Sequence, residues 1–322
     1  MTDIIRIGTR GSRLALVQTH MVADRLRAVH PGLQIEIKEI LTSGDWKPEH
    51  GETRLAEAAG GKGLFAKEIE RAILDNVVDC GVHSLKDMPS FLPEGLEIAF
   101  VMEREDPRDV FLSHCYDSLA AMPAGAVVGT SALRRQAFVL QRRPDLNVVP
   151  LRGNVPTRIE KMKSGQVDAI VLASAGLKRL GLESEIKEYF AADEFLPGAA
   201  QGVIGIEVRE NDTRTKNYLA ALNDINTNLI VTAERAALQT LDGSCRTPVG
   251  CYAVWSDDAQ KMHLKVEVAS PDGADRYQDA IEGHVRTADD AARLGQVVGL
   301  RLKARVPADL LIDDAKILNA QK

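Results

Sequence analysis

The stretch IIRIGTRGS, residues 4–12, predicts how the chain folds. The apolar residues 4–8 indicate a buried strand, and the short turn after them leads into a helix that should end near Val29. Ser12 stands where a helix N-cap belongs, because its hydroxyl can accept a backbone N–H of the first turn. A strand, a tight turn and a helix in this order form the basic unit of α/β sheets.

The same unit recurs in the middle of the chain. Residues 127–130 indicate a strand, and a helix to about Arg142 follows it, so that GTSALRR echoes IGTRGS. A second echo relates residues 78–82 to residues 167–171, because both begin with Val-Asp and end with valine. The two echoes predict two similar α/β lobes whose sheets contain mainly parallel strands.

Two connecting regions complete this outline of the lobes. The charged run EREDPRD, residues 103–109, predicts a hinge, and a lone strand at 202–208 would return the chain to the first lobe. Residues 77–82 are expected to form a buried strand with 83–89 as its exit loop. A turn with Lys178 and Arg179 is expected after the strand at 167–173.

The last third of the chain has a different pattern. A helix at about 226–240 precedes strands near 251–255, 262–269 and 277–285 and a final helix at 287–305. The hairpin spacing makes these strands antiparallel. We therefore expect domain 1 at residues 1–103 and 199–220, domain 2 at 104–198, and a small α+β domain 3 at 221–322.

The amino-acid composition argues against some classes of binding partner. The net charge of -6 gives no general attraction to nucleic acid or anionic membranes, and only 4% of residues are aromatic side chains that could stack on bases. No apolar run reaches a membrane-spanning length, and the N-terminus lacks the pattern of a signal peptide. The four cysteines form no CxxC pair. We therefore expect reduced thiols, a cytoplasmic location, and no metal, nucleic-acid or membrane partner.

Basic side chains gather where predicted strands turn into helices. Ligands of parallel sheets bind beyond the carboxyl ends of the strands, where helix N-termini already favour anions. Arginine adds a fork that matches carboxylates and phosphates. The pattern predicts a polyanionic ligand between the lobes, although solvated surface charge is the alternative for any single residue. The candidates are Arg10, Lys62, Arg134, Arg135, Arg152, Arg158 and Arg179.

Two further residues are candidates for chemistry. Asp87 follows a buried strand, next to Lys86, where a partly desolvated carboxylate could exchange a proton or stabilise a cation. A turn-capping aspartate is the alternative, and His83 in the same loop could equally be a structural hydrogen-bonding group. Cys245 lies on a Gly-Ser turn after a helix, where a thiol can be reached from outside; a half-buried free cysteine is the alternative.

Nine motifs together resemble one family along nearly the whole chain. ERAALQTLDGSCRTPVG at 234–250 is similar to the cofactor-attachment signature of the porphobilinogen deaminases, which are also called hydroxymethylbilane synthases. The other motifs are IGTRGS at 7, GGKGLFAKEIE at 60, VHSLKDMP at 82, EREDPRDVF at 103, GTSALRRQ at 129, LRGNVPTR at 151, AGLKRLGL at 175 and GAAQGVIGIE at 198.

The resemblance implies a fold and a reaction. It implies two lobes like those of periplasmic binding proteins plus a small C-terminal domain. It implies a transferase of heme biosynthesis that joins four porphobilinogen molecules head to tail into hydroxymethylbilane and releases ammonia at each step. The chain of pyrroles would grow on a dipyrromethane primer held by a thioether to Cys245. We expect the enzyme to act as a monomer in the cytoplasm.

The resemblance also implies residue roles. Asp87 would be catalytic, assisting loss of the amine and stabilising cationic pyrroles. The residues implied for the cofactor are Cys245, Lys86, Asp87, Ser131, Arg134, Arg135 and Arg158. The residues implied for the substrate are Arg10, Ser12, Lys62, Arg152, Arg158, Arg179 and Gln201. The chain departs from the common family pattern at Arg13, Ala58 and Ala132, and none of these is a candidate residue.

Two other functional classes are alternatives to this transferase. A two-lobed solute-binding module would share the fold, but the sequence has no signal-peptide pattern and adds a third domain with its cysteine. A cysteine-nucleophile hydrolase would need a histidine to activate the thiol, and none lies near Cys245 in the sequence.

Overall fold

A computed structural model describes residues 3–43, 65–241, 247–257 and 259–311. The helices are α1 (Arg13–Val29), α2 (Lys67–Leu74), α3 (Leu133–Arg142), α4 (Val155–Lys163), α5 (Ser174–Leu180), α6 (Thr213–Leu219), α7 (Ile225–Thr240) and α8 (Ala288–Lys303). The strands are β1 (Ile4–Thr9), β2 (Gln34–Glu39), β3 (Cys80–Ser84), β4 (Leu96–Val101), β5 (Asp109–Ser113), β6 (Val127–Gly129), β7 (Asn147–Val149), β8 (Ala169–Ala173), β9 (Glu188–Tyr189), β10 (Ile204–Arg209), β11 (Val249–Trp255), β12 (Lys261–Ala269) and β13 (Arg276–His284).

The first lobe is built on a mixed sheet with the strand order β2-β1-β3-β10-β4. Strand β1 pairs in parallel with β2 and β3, and its Ile5 and Ile7 are fully buried in the core of the lobe. Strand β10 lies between β3 and β4 and runs antiparallel to both. Strand β10 therefore joins the first sheet although it follows all strands of the second sheet in the chain.

The second lobe repeats this arrangement with the order β7-β6-β8-β5-β9. Strand β6 is parallel to β7 and β8, while β5 is antiparallel to both β8 and β9. The prediction of two similar α/β lobes is therefore confirmed. The antiparallel strand β5 was not predicted, because its first residue ends the charged run at 103–109.

The C-terminal unit is α+β, as expected. Strands β11, β12 and β13 form an antiparallel sheet, and helices α7 and α8 pack against each other and against it. Its core includes the fully buried Ala237, Met262, Leu264 and Val298. Helix α8 begins with a capping box in which Thr287 and Asp290 bond to each other's backbone N–H groups.

Helix caps explain where two helices of the lobes begin. Ser12 caps α1 by accepting a hydrogen bond from the backbone N–H of Ala15, as predicted. Asn154 caps α4 in the same way through Thr157. At α3 the N-cap position is Ala132, which makes no side-chain bond to the helix. A serine at this position, as the family pattern prefers, would supply the missing cap.

Two local predictions were wrong. Strand β3 extends to Ser84, so His83 and Ser84 belong to the strand and not to its exit loop. The extension follows from pairing with β10, in which His83 lies opposite Gly205. Lys178 and Arg179 lie on helix α5 rather than on a turn. That helix ends at Gly181, whose positive φ of 66° suits glycine.

Close packing of α7 on α8 leads to a stability prediction. A Cβ at Gly295 would lie 2.2 Å from the carbonyl oxygen of Ala233, which is far inside van der Waals contact. We expect Gly295→Ala to lower the free energy of unfolding by ~1–3 kcal/mol in urea titration, because the helices must separate. The control is Gln296→Ala, at an exposed position of the same helix. Equal stability of the two variants would contradict this packing.

Candidate active site

An open cavity lies in the first lobe beside the end of β3. Its walls include Arg10 and Ser12 from the β1–α1 turn and His83 and Asp87 from β3 and the turn after it. The empty volume is ≈ 470 Å³, counting the space open to solvent. The guanidinium of Arg10 lies 4.0 Å from the centre of the Phe65 ring, a cation–π arrangement that orients the arginine at the cavity wall.

Asp87 ends a short 3-10 turn, Leu85–Asp87, that directly follows β3. Its side chain is exposed, so the partly desolvated environment expected from the sequence is wrong. The turn explains the difference, because it packs Leu85 into the core at 1% exposure and leaves Asp87 facing the cavity. The carboxylate is therefore accessible to a ligand.

Lys86 is held in place by a buried amide. Its Nζ donates a hydrogen bond to Oε1 of Gln201 at 3.2 Å. Gln201 is only 1% exposed, and its Nε2 donates to the carbonyl oxygen of Pro107 and to Oδ1 of Asp109. Desolvation and the positive charge of Arg135 lower the pKa of Lys86 to about 8. This group therefore loses its positive charge as the pH rises through about 8.

Asp109 is a buried acid surrounded by three basic side chains, Lys86, Arg134 and Arg135, which we call the basic cluster. Its Oδ2 lies 2.7 Å from the Nη1 of Arg134, and its Oδ1 accepts hydrogen bonds from the Nε and Nη2 of Arg135. Burial alone would raise the pKa of Asp109, but the two arginines lower it to about 2. Two guanidinium groups against one carboxylate leave the cluster with a net positive charge.

Arg158 adds a third guanidinium next to this cluster. Burial and the nearby Arg135 lower its pKa to about 10, and the charge of Asp87 opposes this. The Nε of Arg158 is buried and has no hydrogen-bond partner among the residues that the structure describes. A buried donor of this kind is costly unless an acceptor is supplied from outside the protein. Arg158 therefore suits an anionic group.

The other predicted residues lie around this cluster. The Oγ of Ser131 donates to the carbonyl oxygen of Leu151 at 2.7 Å, and the next residue, Arg152, is buried. The Nη2 of Arg179 donates to the carbonyl oxygen of Gly202, directly after Gln201. Burial lowers the pKa of Arg179 to about 10.

The structure thus divides the predicted residues into groups. Arg10, Ser12 and Asp87 share the cavity, while Lys86, Arg134, Arg135 and Gln201 are joined through Asp109. Arg158 is electrostatically coupled to both groups through Asp87 and Arg135. Lys62 and Cys245 lie outside the described residues.

Sequence reasoning missed Asp109 and also Glu207, a fully buried acid whose Oε2 lies 3.0 Å from Nε2 of His83. Asp109 was assigned to a hinge because it ends a charged run, and its partners Gln201 and Arg135 are far away in sequence. A signal was present, since an acid directly before the apolar run VFL marks a strand that begins at a charged cluster. Glu207 offered a similar signal, because it is a lone acid inside the apolar strand IGIEV.

Two family models match the chain. Residues 5–217 match the model described as "Porphobilinogen deaminase, dipyromethane cofactor binding domain", and residues 228–304 match "Porphobilinogen deaminase, C-terminal domain". The chain belongs to the porphobilinogen deaminase family. It is a transferase of this family that builds a tetrapyrrole from porphobilinogen on a dipyrromethane cofactor, as the sequence predicted. The buried Nε of Arg158, which has no hydrogen-bond partner among the described residues, fits a cofactor that carries anionic groups.

Several solved structures also resemble this chain. A methionine-binding protein, MetQ, is 13% identical over 70% of this chain and 93% of its own, with a TM-score of 0.45. The aliphatic sulphonate-binding protein SsuA from Escherichia coli is 12% identical over 74% and 70%, with a TM-score of 0.41. The effector-binding domain of BenM with benzoate is 16% identical over 68% and 90%, also at 0.41.

Two features are absent from the part of the chain that the structure describes. They contain no helix that is long and apolar enough to cross a membrane. In the same part of the chain, no three His, Cys, Asp or Glu side chains are grouped so that they could hold a metal ion.

Proposed function

We propose that the cavity at Asp87 and the basic cluster around Asp109 together form the site at which this chain makes hydroxymethylbilane from four porphobilinogen molecules. The observation that carries the proposal is Arg158, a half-buried cation that feels the charge of Asp87 and whose buried Nε has no partner among the described residues. Each porphobilinogen brings an acetate and a propionate. Carboxylates are the acceptors that a buried guanidinium requires.

The cations would bind and orient the pyrroles through these carboxylates. We assign Lys86, Ser131, Arg134, Arg135 and Arg158 to the cofactor, and Arg10, Ser12, Lys62, Arg152, Arg158, Arg179 and Gln201 to the substrate. Gln201 would act indirectly, because its amide is already engaged with Lys86 and Asp109. Its role is to fix the ammonium group of Lys86.

Asp87 would be the catalytic group. Its exposed carboxylate can reach the aminomethyl group of a substrate in the cavity and pass a proton to or from the departing amine. The same negative charge stabilises the electron-poor pyrrole that remains when ammonia leaves. When bound, dipyrromethane supplies the nucleophilic pyrrole carbon to which new units are joined. Its proposed attachment is a thioether to Cys245.

Three further assignments complete the proposal. The domain limits are residues 1–103 with 199–220, residues 104–198, and residues 221–322, in keeping with the three separate sheets. The enzyme would work as a monomer in the cytoplasm, the location that suits unpaired thiols. Cys80, Cys115 and Cys251 are all free in the described structure.

Intact-protein mass spectrometry tests the anchor. The wild-type protein should exceed its sequence mass by two porphobilinogen units less their ammonia, and Cys245→Ser should remove the excess together with hydroxymethylbilane formation. Cys115→Ser is the control, because Cys115 is an exposed free thiol. An active wild-type protein of unmodified mass, or loss of the excess in Cys115→Ser, would sink the assignment.

A further inference from the structure

His83 lies within the first sheet and still lines the cavity of Asp87. Its Nε2 is 3.0 Å from Oε2 of Glu207 on β10, and the two side chains are 5% and 0% exposed. The imidazole fits because residue 81 is glycine: a Cβ there would lie 2.7 Å from Nε2 of His83. The sheet thus holds this ring between the cavity and a buried carboxylate.

A second buried carboxylate belongs to the same cluster. Glu70 on α2 is 6% exposed, and its helix packs over β3 and β10. Oε1 of Glu70 and Oε1 of Glu207 are buried, and neither has a hydrogen-bond partner among the described residues. Burial and the negative charge of Glu207 raise the pKa of Glu70 to about 7, against the opposing effect of His83. Two buried carboxylates cannot both stay charged at low cost, so burial favours the protonated form of Glu70.

We propose that His83, Glu207 and Glu70 form a proton-sharing unit that serves the cavity, in which His83 takes up and returns the proton. The inference rests on the proposed function, because only that reaction moves protons there. When a pyrrole α-carbon has formed its new carbon–carbon bond, its C–H bond breaks. The electron pair stays in the ring and the proton passes to the imidazole.

The proton then has a destination within the same reaction. His83 gives its proton, by way of Asp87, to the neutral aminomethyl group of the next substrate. The C–N bond of that group then breaks, the electron pair leaves with nitrogen, and ammonia departs, so each cycle leaves the unit unchanged. Asp87 remains the group that faces the substrate cation, and the buried unit stores the proton between the two events.

Other charges surround the unit, and each bears on its pH dependence. From α2, Lys67 lowers the pKa of Glu70 and Glu68 raises it. From the cavity side, Arg10 and Asp87 share the wall with His83. None of these four is as buried as Glu207, so solvent screens them more strongly.

A titration of the cofactor-loaded protein tests the sharing without using activity. The carboxyl carbon signal of Glu70 in NMR should titrate near pH 7. In His83→Asn it should move to higher pH, because the effect of His83 that lowers the pKa of Glu70 is removed. In Glu210→Gln, which removes an exposed carboxylate shortly after β10, it should not move. Titration of Glu70 at the ordinary value of a glutamate, or no response to His83→Asn, would overturn the proposal.

A pH–rate profile tests whether the unit exchanges protons with the reacting groups in the cavity. His83→Asn and Glu70→Gln should each slow ammonia release from porphobilinogen at least about tenfold at pH 7, with KM unchanged. Glu70→Gln should also flatten the profile around pH 7. Wild-type profiles in both variants would overturn the unit and leave the proposed function standing. Absence of ammonia release from the wild-type protein and from Glu210→Gln would instead overturn the function.

Discussion

Asp87→Asn is expected to slow ammonia release from porphobilinogen by about a thousandfold while leaving the fold intact. The amide keeps the size of the side chain but can neither accept the proton nor stabilise a cation, and such groups contribute roughly 10²–10⁴ in rate. The fold should survive because Asp87 is exposed at the end of its turn. Ammonia release and thermal unfolding should both be measured on cofactor-loaded protein.

The matched control for this prediction is Asp24→Asn. Asp24 is an exposed aspartate on α1 that pairs with Arg27, so the substitution changes the net charge equally without touching the cavity. We expect wild-type rates for this variant. A rate for Asp87→Asn within a few-fold of this control would remove Asp87 from the mechanism.

Asp109→Ala should lower the free energy of unfolding by ~3–5 kcal/mol, the usual cost of removing one partner from a buried ion pair. The substitution leaves Arg134 and Arg135 buried without their carboxylate. It also removes the oxygen that accepts a hydrogen bond from Nε2 of Gln201. The positioning of Lys86 should then loosen as well. Urea titration gives the stability, and KM for porphobilinogen reports the loosened site.

The pH dependence gives a second measurement on the same group. The pKa of Asp109 in the folded state is lowered to about 2 from 3.8. The stability that it contributes is therefore complete above about pH 4 and is lost as the pH falls towards 2. Asp109→Ala should reduce this loss of stability at low pH. Asp145→Ala, which removes an exposed partner of Arg143, should keep it. An unchanged loss of stability at low pH in Asp109→Ala would contradict the buried pair.

Local patterns in the sequence were enough to predict much of the fold. The alternation of apolar residues located β1, α1, α7 and α8 to within a few residues, and Ser12 was identified as a cap. These signals depend on neighbours in the chain. Strand β3 was placed too early because its last residues are fixed by β10, which comes 124 positions later at the His83–Glu207 contact.

The residue types of the candidate site could be predicted from the sequence, but the hydrogen bonds and ion pairs between these residues could not. Arginines at the ends of strands predicted a site for anions, and Arg158 fits that prediction. The sequence could not show that Asp109 neutralises part of this charge, since Gln201 and Asp109 are 92 residues apart. Nor could it show that Asp87 is exposed, which depends on how Leu85 packs.

The place of β10 in the first sheet has a consequence for the order of synthesis. Strands β3 and β4 do not pair with each other, because β10 separates them. On the ribosome, β10 emerges only after all strands of the second sheet. The second lobe can therefore close while the first still has two open strand edges, which reverses the usual N-terminal-first order. Until residue 209 is translated, those edges are where a nascent chain would need protection from other strands.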